Sequence, residues 1–183
     1  MTRLLLLLGA GGALGCATSQ LAQGDVELGA LDPVAVAVMR SGSGEALGTL
    51  RFFATTDGRL RATGTISGLT PGAHGIHVHA VGRCEGPSFE SAGTHFNPDG
   101  RSHGLENGSG PHAGDAPNIE ADASGRAAVD LVFAGASLAT GSRGYVSDGD
   151  GVAVVIHASA DDQRSDPAGN SGARVACGVL GAP

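Results

Sequence analysis

The chain has 183 residues, a length that fits one domain, and it carries a formal net charge of −7. Its composition includes 32 glycines and no tryptophan, and all 11 basic residues are arginine. An acidic balance argues against a nucleic-acid partner, which needs a basic face. Short runs of Val, Ala and Leu alternate with clusters of Gly, Asp and Ser, a pattern typical of an all-β sandwich or barrel.

Residues 1–16 have the features of an export signal. Arg3 supplies a positive start, and residues 4–8 form an apolar core that is too short for a permanent membrane span. The segment ends in Ala13-Leu14-Gly15-Cys16, which resembles a bacterial lipoprotein cleavage box, although Ala13 stands where that box has Leu. We therefore expect export and lipidation of Cys16. The alternative is an ordinary secretory signal that is cut nearby and discards Cys16.

The remaining chain divides into a tether and a domain. Residues 17–31 mix Ala, Gln, Gly and Ser without periodicity, which predicts a flexible tether before a domain at 32–183. Asp57-Gly58 predicts a hairpin turn, and no segment has a sustained helical period. Apolar runs predict strands at 33–40, 46–55, 59–69, 75–81, 125–133, 152–158 and 173–180.

Two predicted connections are long and polar, at 82–119 and 159–172. Loops longer than about 15 residues in a compact domain are usually functional or disordered. The first loop is rich in Gly, Pro, Asn and Ser, and it contains three histidines. We expect bound metal to order it.

The histidines are distributed as a two-metal site would need them. His77 and His79 form an H-x-H pair in a predicted strand, so they share one face, and His157 ends another strand. Three imidazoles from rigid strands suit Cu(II). Taken alone, each of these histidines is more simply explained as a buried polar residue. The hypothesis of a metal site depends on the occurrence of these three histidines together with further metal-binding side chains in the long loop.

A second group of metal-binding side chains lies in the long loop. His103, His112 and Asp115 suit tetrahedral zinc, which needs a fourth ligand. His95 would supply it with one ring nitrogen and bind copper with the other.

Two cysteines remain beyond the signal. An even pair in an exported domain predicts one disulfide between Cys84 and Cys177, worth about 4 kcal/mol because it closes a long loop. The alternative is a pair of free thiols that bind metal.

Together these stretches resemble the bacterial, exported branch of the copper/zinc superoxide dismutase family. The intervals from His95 to His103, His112 and Asp115 match that family, and the resemblance covers about residues 33–181. It implies a Greek-key β-barrel or sandwich of about eight antiparallel strands with two long functional loops. The matching stretches are G-I-H-V-H, T-H-F-N-P-D-G, H-A-G-D, V-V-I-H-A and G-N-S-G-A-R-V-A-C-G-V-L.

The resemblance also implies a role for each matching residue. Copper would be bound by His77, His79, His95 and His157. Zinc would be bound by His95, His103, His112 and Asp115, so His95 would bridge the two metals.

Further roles lie around these ligands. Asp161 would orient one copper and one zinc histidine, and Arg174 would dock superoxide beside copper. Cys84 and Cys177 would form the family disulfide. His74 would support the copper strand without binding metal.

The implied activity is that of an oxidoreductase, with His95 and Arg174 as catalytic residues. Superoxide would be converted to dioxygen and hydrogen peroxide by alternating Cu(II) and Cu(I), with His95 protonated between the two halves. The alternative is an exported copper- or zinc-binding protein that buffers or delivers metal without turnover, which would need neither the bridge nor Arg174.

The cellular setting follows from the signal. The domain would be periplasmic or in the cell envelope, touching a membrane only through a lipid on Cys16. A monomer and a homodimer are both compatible with the sequence. The segment from His157 to Arg174 is short and lacks Lys, which leaves the strength of electrostatic steering open.

Overall fold

The computed structural model describes residues 33–147, 149 and 151–181, all within one compact unit, Leu31–Pro183. The expected signal with Cys16 and the tether at 17–31 lie outside these residues. Among the described residues, no helix is both long enough and apolar enough to cross a bilayer.

The described residues form one antiparallel sheet of nine strands, which confirms the all-β barrel expectation. The only helical element among them is a single 3-10 turn, Glu90–Ala92. The strands are β1 (Ala35–Ser41), β2 (Ala46–Ala54), β3 (Arg59–Ile66), β4 (Gly72–His74), β5 (Ile76–His79), β6 (Ile119–Ala121), β7 (Ala127–Ser137), β8 (Ala153–His157) and β9 (Arg174–Val179). All seven strand candidates are present, and β4 and β6 are additional.

The sheet nearly closes on itself. Its strand order is β4-β6-β7-β3-β2-β1-β9-β8-β5, so the two edges are β4 and β5, and only Gly75 separates them along the chain. The Gly75 N–H donates to Ser159 O at 2.9 Å, and its carbonyl accepts the His157 N–H at 2.9 Å. The chain crosses between distant strands after β3 and β7, as in a Greek-key barrel.

The core follows from the alternation of side chains along the strands. In β1, Ala35, Ala37 and Met39 are buried, while Val38 and Arg40 are exposed. The Asp57-Gly58 turn joins β2 to β3, and Gly58 has a φ of 83°, which glycine adopts without a steric cost.

Strands β5 and β8 differ from this pattern because every residue in them is buried. Ile76 and Val78 pack into the barrel core, so the alternate residues His77 and His79 lie on the opposite face. The long loops cover that face. Because β5 and β8 are buried on both faces, the candidate site lies between the barrel wall and the loops.

Candidate metal centre

Four histidines meet on the outer face of β5. His77 and His79 come from β5 and His157 from the end of β8, its partner strand. His95 comes from the long loop, and it lies beside His79 because residues 94–96 pair with β5: Phe96 N–H donates to Val78 O at 2.8 Å. One ligand atom from each of the four lies within 4.8 Å of all the others.

Outer hydrogen bonds fix which ring nitrogen faces inward in three of these histidines. His79 Nδ1 donates to Gly93 O at 2.9 Å, and His157 Nδ1 donates to Gly172 O at 3.1 Å. His77 uses its other nitrogen, Nε2, which donates to Asp161 Oδ2 at 2.6 Å. Because a neutral imidazole carries one N–H, the remaining nitrogen of each ring has a free lone pair.

The inward nitrogens have no hydrogen-bond partner. Buried polar atoms in proteins are nearly always hydrogen-bonded, because leaving one unpaired costs free energy. Apart from Ser142 Oγ, every unpartnered buried side-chain N or O atom among the described residues belongs to this cluster. These atoms are His77 Nδ1, His79 Nε2, His95 Nε2, His157 Nε2 and His103 Nδ1. Such a donor set fits bound metal ions.

The second group converges on one oxygen of Asp115. Its Oδ1 lies 3.1 Å from His95 Nδ1, 3.0 Å from His103 Nδ1 and 3.5 Å from His112 Nδ1. Tetrahedral zinc with bonds of about 2 Å would separate its ligands by about 3.3 Å. The His103 approach lacks hydrogen-bond geometry, since its Nδ1 counts as unpartnered. These spacings fit four ligands around one tetrahedral ion.

His112 lies at the rim of this group. A second set of ligand atoms, all within 4.8 Å of one another, comes from His77, His95, His103 and Asp115 and omits His112. His112 Nδ1 nevertheless lies 3.5 Å from His95 Nδ1. The His77 Nε2 atom is already engaged by Asp161, so its free nitrogen belongs to the first group.

Asp161 connects the two groups. Its carboxylate accepts from His77 Nε2 at 2.6 Å and from His103 Nε2, whose distance to Oδ1 is 3.0 Å. Asn118 holds the Asp161 backbone on both sides, accepting its N–H and donating to its carbonyl, each at 2.8 Å. Asn118 was not among the site residues predicted from the sequence. The one available signal was its position three residues after Asp115 in the same loop.

Burial keeps three histidines of the first group neutral. It lowers the pKa of His77 to about 3 and that of His157 to about 4, and it lowers the pKa of His79 well below its ordinary value. Neutral imidazole is the form that binds metal. These histidines are therefore ready to act as ligands at neutral pH.

His103 has the opposite electrostatics. Burial lowers its pKa, but the carboxylates of Asp115 and Asp161 outweigh burial and raise the pKa to about 9. Burial raises the pKa of both carboxyl groups, but the close approach of His103 and of a second histidine, His95 at Asp115 and His77 at Asp161, holds each pKa below its usual range. This side of the centre favours positive charge, which a divalent cation would supply in place of the proton.

Arg174 begins β9 opposite His157 and is fixed by two carbonyls. Its Nη1 donates to Phe89 O and its Nη2 to Gly93 O, each at 2.7 Å. Burial lowers its pKa, and the nearby Glu90 carboxylate opposes that change. A guanidinium has five N–H groups, so three remain for an anion.

The remaining residues expected at the site support it from outside. Cys84 and Cys177 form a disulfide with a Cα–Cα distance of 5.6 Å, so they are not free thiols. It ties the segment that carries Phe89 O and Gly93 O to β9. Both ring nitrogens of the buried His74 face backbone carbonyls, at 2.6 Å from His157 O and 2.8 Å from Thr70 O.

Known proteins resemble this chain over most of its length. A family model described as copper/zinc superoxide dismutase matches residues 46–180. Superoxide dismutase (Cu-Zn) 2 of Aquifex aeolicus is 44% identical over 138 residues, which are 75% of this chain and 80% of that protein. Superoxide dismutase (Cu-Zn) of Caulobacter vibrioides is 40% identical over 148 residues, 80% of this chain and 84% of its own.

A solved structure agrees with this relationship. The crystal structure of a SOD-like protein from Bacillus subtilis has 40% sequence identity and a TM-score of 0.75, covering 79% of this chain and 97% of that one. The chain therefore belongs to the copper/zinc superoxide dismutase family. This membership confirms the expected enzyme class and the two cofactors, copper and zinc.

Proposed function

We propose that the chain converts superoxide to dioxygen and hydrogen peroxide at a two-metal centre. Copper would be held by His77, His79, His95 and His157, and zinc by His95, His103, His112 and Asp115. The observation that carries this proposal is the set of five buried ring nitrogens without hydrogen-bond partners. When bound, copper supplies a one-electron Cu(II)/Cu(I) couple and zinc supplies a fixed positive charge.

His95 is the residue that would link electron transfer to proton transfer. It has no outer hydrogen bond like those of His77, His79 and His157; its Nδ1 faces Asp115 and its Nε2 is unpartnered. The His95 ring is therefore available to both the copper group and the zinc group. Conversion of two superoxide anions consumes two protons, and His95 would hold one at Nε2 and deliver it to the product.

Arg174 would bind and orient the anion. Two of its N–H groups are held by backbone carbonyls, which fixes the plane of the guanidinium. The others present a permanent positive charge and several donors to a small anion. Because the guanidinium is already held rigidly, little conformational entropy is lost when substrate binds.

The experiment compares the protein loaded with copper and zinc with its His95→Ala variant. Superoxide decay would be followed directly, and metal content would be measured for both proteins. Fast turnover that collapses in the variant supports the proposal. Tight binding of both metals by the parent protein without turnover would contradict it and favour metal storage or delivery.

We also propose that the protein is exported and anchored through a lipid on Cys16. The Cys84–Cys177 disulfide supports export, because disulfides persist in oxidising compartments. Cells that express the parent chain and a Cys16→Ser variant would be fractionated and labelled with fatty acid. A parent protein that is unlabelled and fractionates like the variant would contradict the anchor.

A further inference from the structure

Gln163 lies in the loop between β8 and β9, two residues after Asp161. Its φ is 62°, in the left-handed region that residues other than glycine seldom occupy. Such a conformation persists when surrounding contacts determine it, and it is often associated with a functional site. The contacts of Gln163 are therefore informative.

The backbone of Gln163 touches both loops of the centre. Its N–H donates to Asp161 Oδ1 at 2.7 Å, and its carbonyl accepts the Glu106 N–H at 3.0 Å. Gly104, which directly follows His103, approaches so closely that a Cβ there would lie 2.1 Å from Gln163 O. The two loops are in contact at this point with no room for a side chain.

The Gln163 side chain extends these contacts to the other end of the segment 103–115. Gln163 Nε2 donates to Ala116 O at 3.2 Å, and Oε1 accepts the Leu105 N–H at 3.4 Å. Leu105 is two residues beyond His103, and Ala116 directly follows Asp115. One amide thus bonds to the chain just after the first and just after the last residue of the segment 103–115.

We propose that Gln163 is a positioning residue that holds the segment 103–115 closed around zinc. This inference rests on the proposed function. Gln163 does not touch the metal; it acts through Asp161, which bonds to His103, and through the backbone at both ends of the segment. A ligand residue can leave the ion when its segment moves, so loss of these contacts would speed zinc release.

The same two loops offer a matched control. Arg164, the next residue, pairs with Glu106, and both side chains are more than half exposed, at 71% and 57%. Exposed pairs contribute little to stability. Breaking this pair removes a contact between the loops without removing a contact to Asp161 or to either end of the segment.

The test uses Gln163→Gly, Gln163→Glu and Glu106→Gln in the full chain loaded with copper and zinc. Gln163→Gly deletes the amide but keeps the backbone bonds, since glycine tolerates this φ. Zinc transfer to a coloured chelator is expected to be about 10-fold faster, the scale typical of residues that support metal ligands. Cobalt(II) placed in the zinc site should show an altered visible spectrum.

Gln163→Glu keeps the acceptor for Leu105 and loses the donor to Ala116, so its zinc release should be intermediate. Glu106→Gln should release zinc within about two-fold of the parent rate. Parent-like release and cobalt spectrum in Gln163→Gly would overturn the inference, as would equal acceleration in Glu106→Gln. A parent chain that binds no zinc would instead overturn the proposed function on which the inference rests.

Discussion

At the residue scale, the outer hydrogen bonds determine which nitrogen three of the histidines offer. His79 and His157 donate from Nδ1 to carbonyls of Gly93 and Gly172, whereas His77 donates from Nε2 to Asp161. The inward lone pairs are therefore set before any ion arrives. The geometry of the centre depends on backbone carbonyls and one carboxylate as much as on the ligands.

Gly169 tests how tightly the Asp161 carboxylate is enclosed. A Cβ at Gly169 would lie 1.8 Å from Asp161 Oδ1 and 2.7 Å from His103 Nε2, so Gly169→Ala must displace the bridge between the two groups. We expect zinc affinity to fall about 10- to 100-fold, measured by chelator competition. Gly100 has the same φ of 61° and open space around it, so Gly100→Ala controls for backbone strain alone. Equal losses in both variants would contradict this account.

The Arg174→Gln variant tests whether the positive charge of Arg174 binds the anion. Losing a hydrogen bond to a charged group costs about 1.5–3 kcal/mol, so the rate constant for superoxide should fall about 10- to 100-fold. Azide affinity, titrated optically on the copper-loaded protein, should fall with it. Arg51→Gln, at an exposed position in β2, makes the same change in net charge. If the two variants behaved alike, only overall charge would matter.

The sequence could predict the side chains of the centre but not what holds them. The H-x-H pair, the loop intervals and Arg174 all belong to recognisable stretches. The supporting carbonyls of Phe89, Gly93 and Gly172 could not be predicted from the sequence. Every residue has a backbone oxygen, so the residue type does not indicate which oxygens accept these hydrogen bonds. Gln163 was missed for a related reason: its contacts depend on a left-handed φ and on the approach of a distant loop.

At the element scale, the two groups have different supports. His77, His79 and His157 lie on paired strands, whereas His103, His112 and Asp115 lie in the loop between β5 and β6. The strands longer than three residues were predictable from apolar runs, and Asp57-Gly58 correctly predicted the β2–β3 hairpin. Strands β4 and β6 were missed because three residues are too few to show a period. Pairing of His95 with His79 is non-local and has no sequence signal.

The disulfide joins the segment before the 3-10 turn to β9, and its removal tests this element. Replacing Cys84 and Cys177 together by Ser should lower the free energy of unfolding by about 4 kcal/mol, because the disulfide closes a sequence separation of 93 residues. Urea unfolding of parent and variant proteins would measure the change.

The same variant should weaken azide binding, since Phe89 O and Gly93 O lie in the released segment and hold Arg174. Unchanged stability would show that the denatured chain is not restrained by this bond. Unchanged azide affinity in a destabilised variant would show that Arg174 keeps its position without it.

At the scale of the whole molecule, the metal-free barrel encloses histidines of opposite electrostatic character. The pKa of His77 and His157 lies at about 3 and about 4, whereas that of His103 lies at about 9. An unfolded histidine titrates near 6.5. The first two therefore stabilise the fold above pH 6.5 and lose this contribution as the pH falls towards 4. His103 stabilises it below 6.5 and loses this contribution as the pH rises through 9.

Metal-free protein should consequently be most stable near pH 6.5. Each proton by which the folded and unfolded chains differ changes the unfolding free energy by about 1.4 kcal/mol per pH unit. The unfolded chain binds more protons below pH 6.5 and the folded chain binds more above it, so the unfolding free energy should fall between pH 6.5 and 5 and also between 6.5 and 9. Urea titrations of chelator-treated protein at these three pH values would measure it. Stability that rises towards pH 5 would contradict the neutral, buried state of His77 and His157.

The carbonyl oxygen of Gly93 accepts from both His79 Nδ1 and Arg174 Nη2. The atom that orients His79, a proposed copper ligand, thus also fixes Arg174, the residue proposed to meet the anion. Any displacement of this peptide shifts both together, so the two properties cannot be optimised independently in this chain. A substitution near Gly93 that strengthens anion binding should therefore also change the spectrum of bound copper.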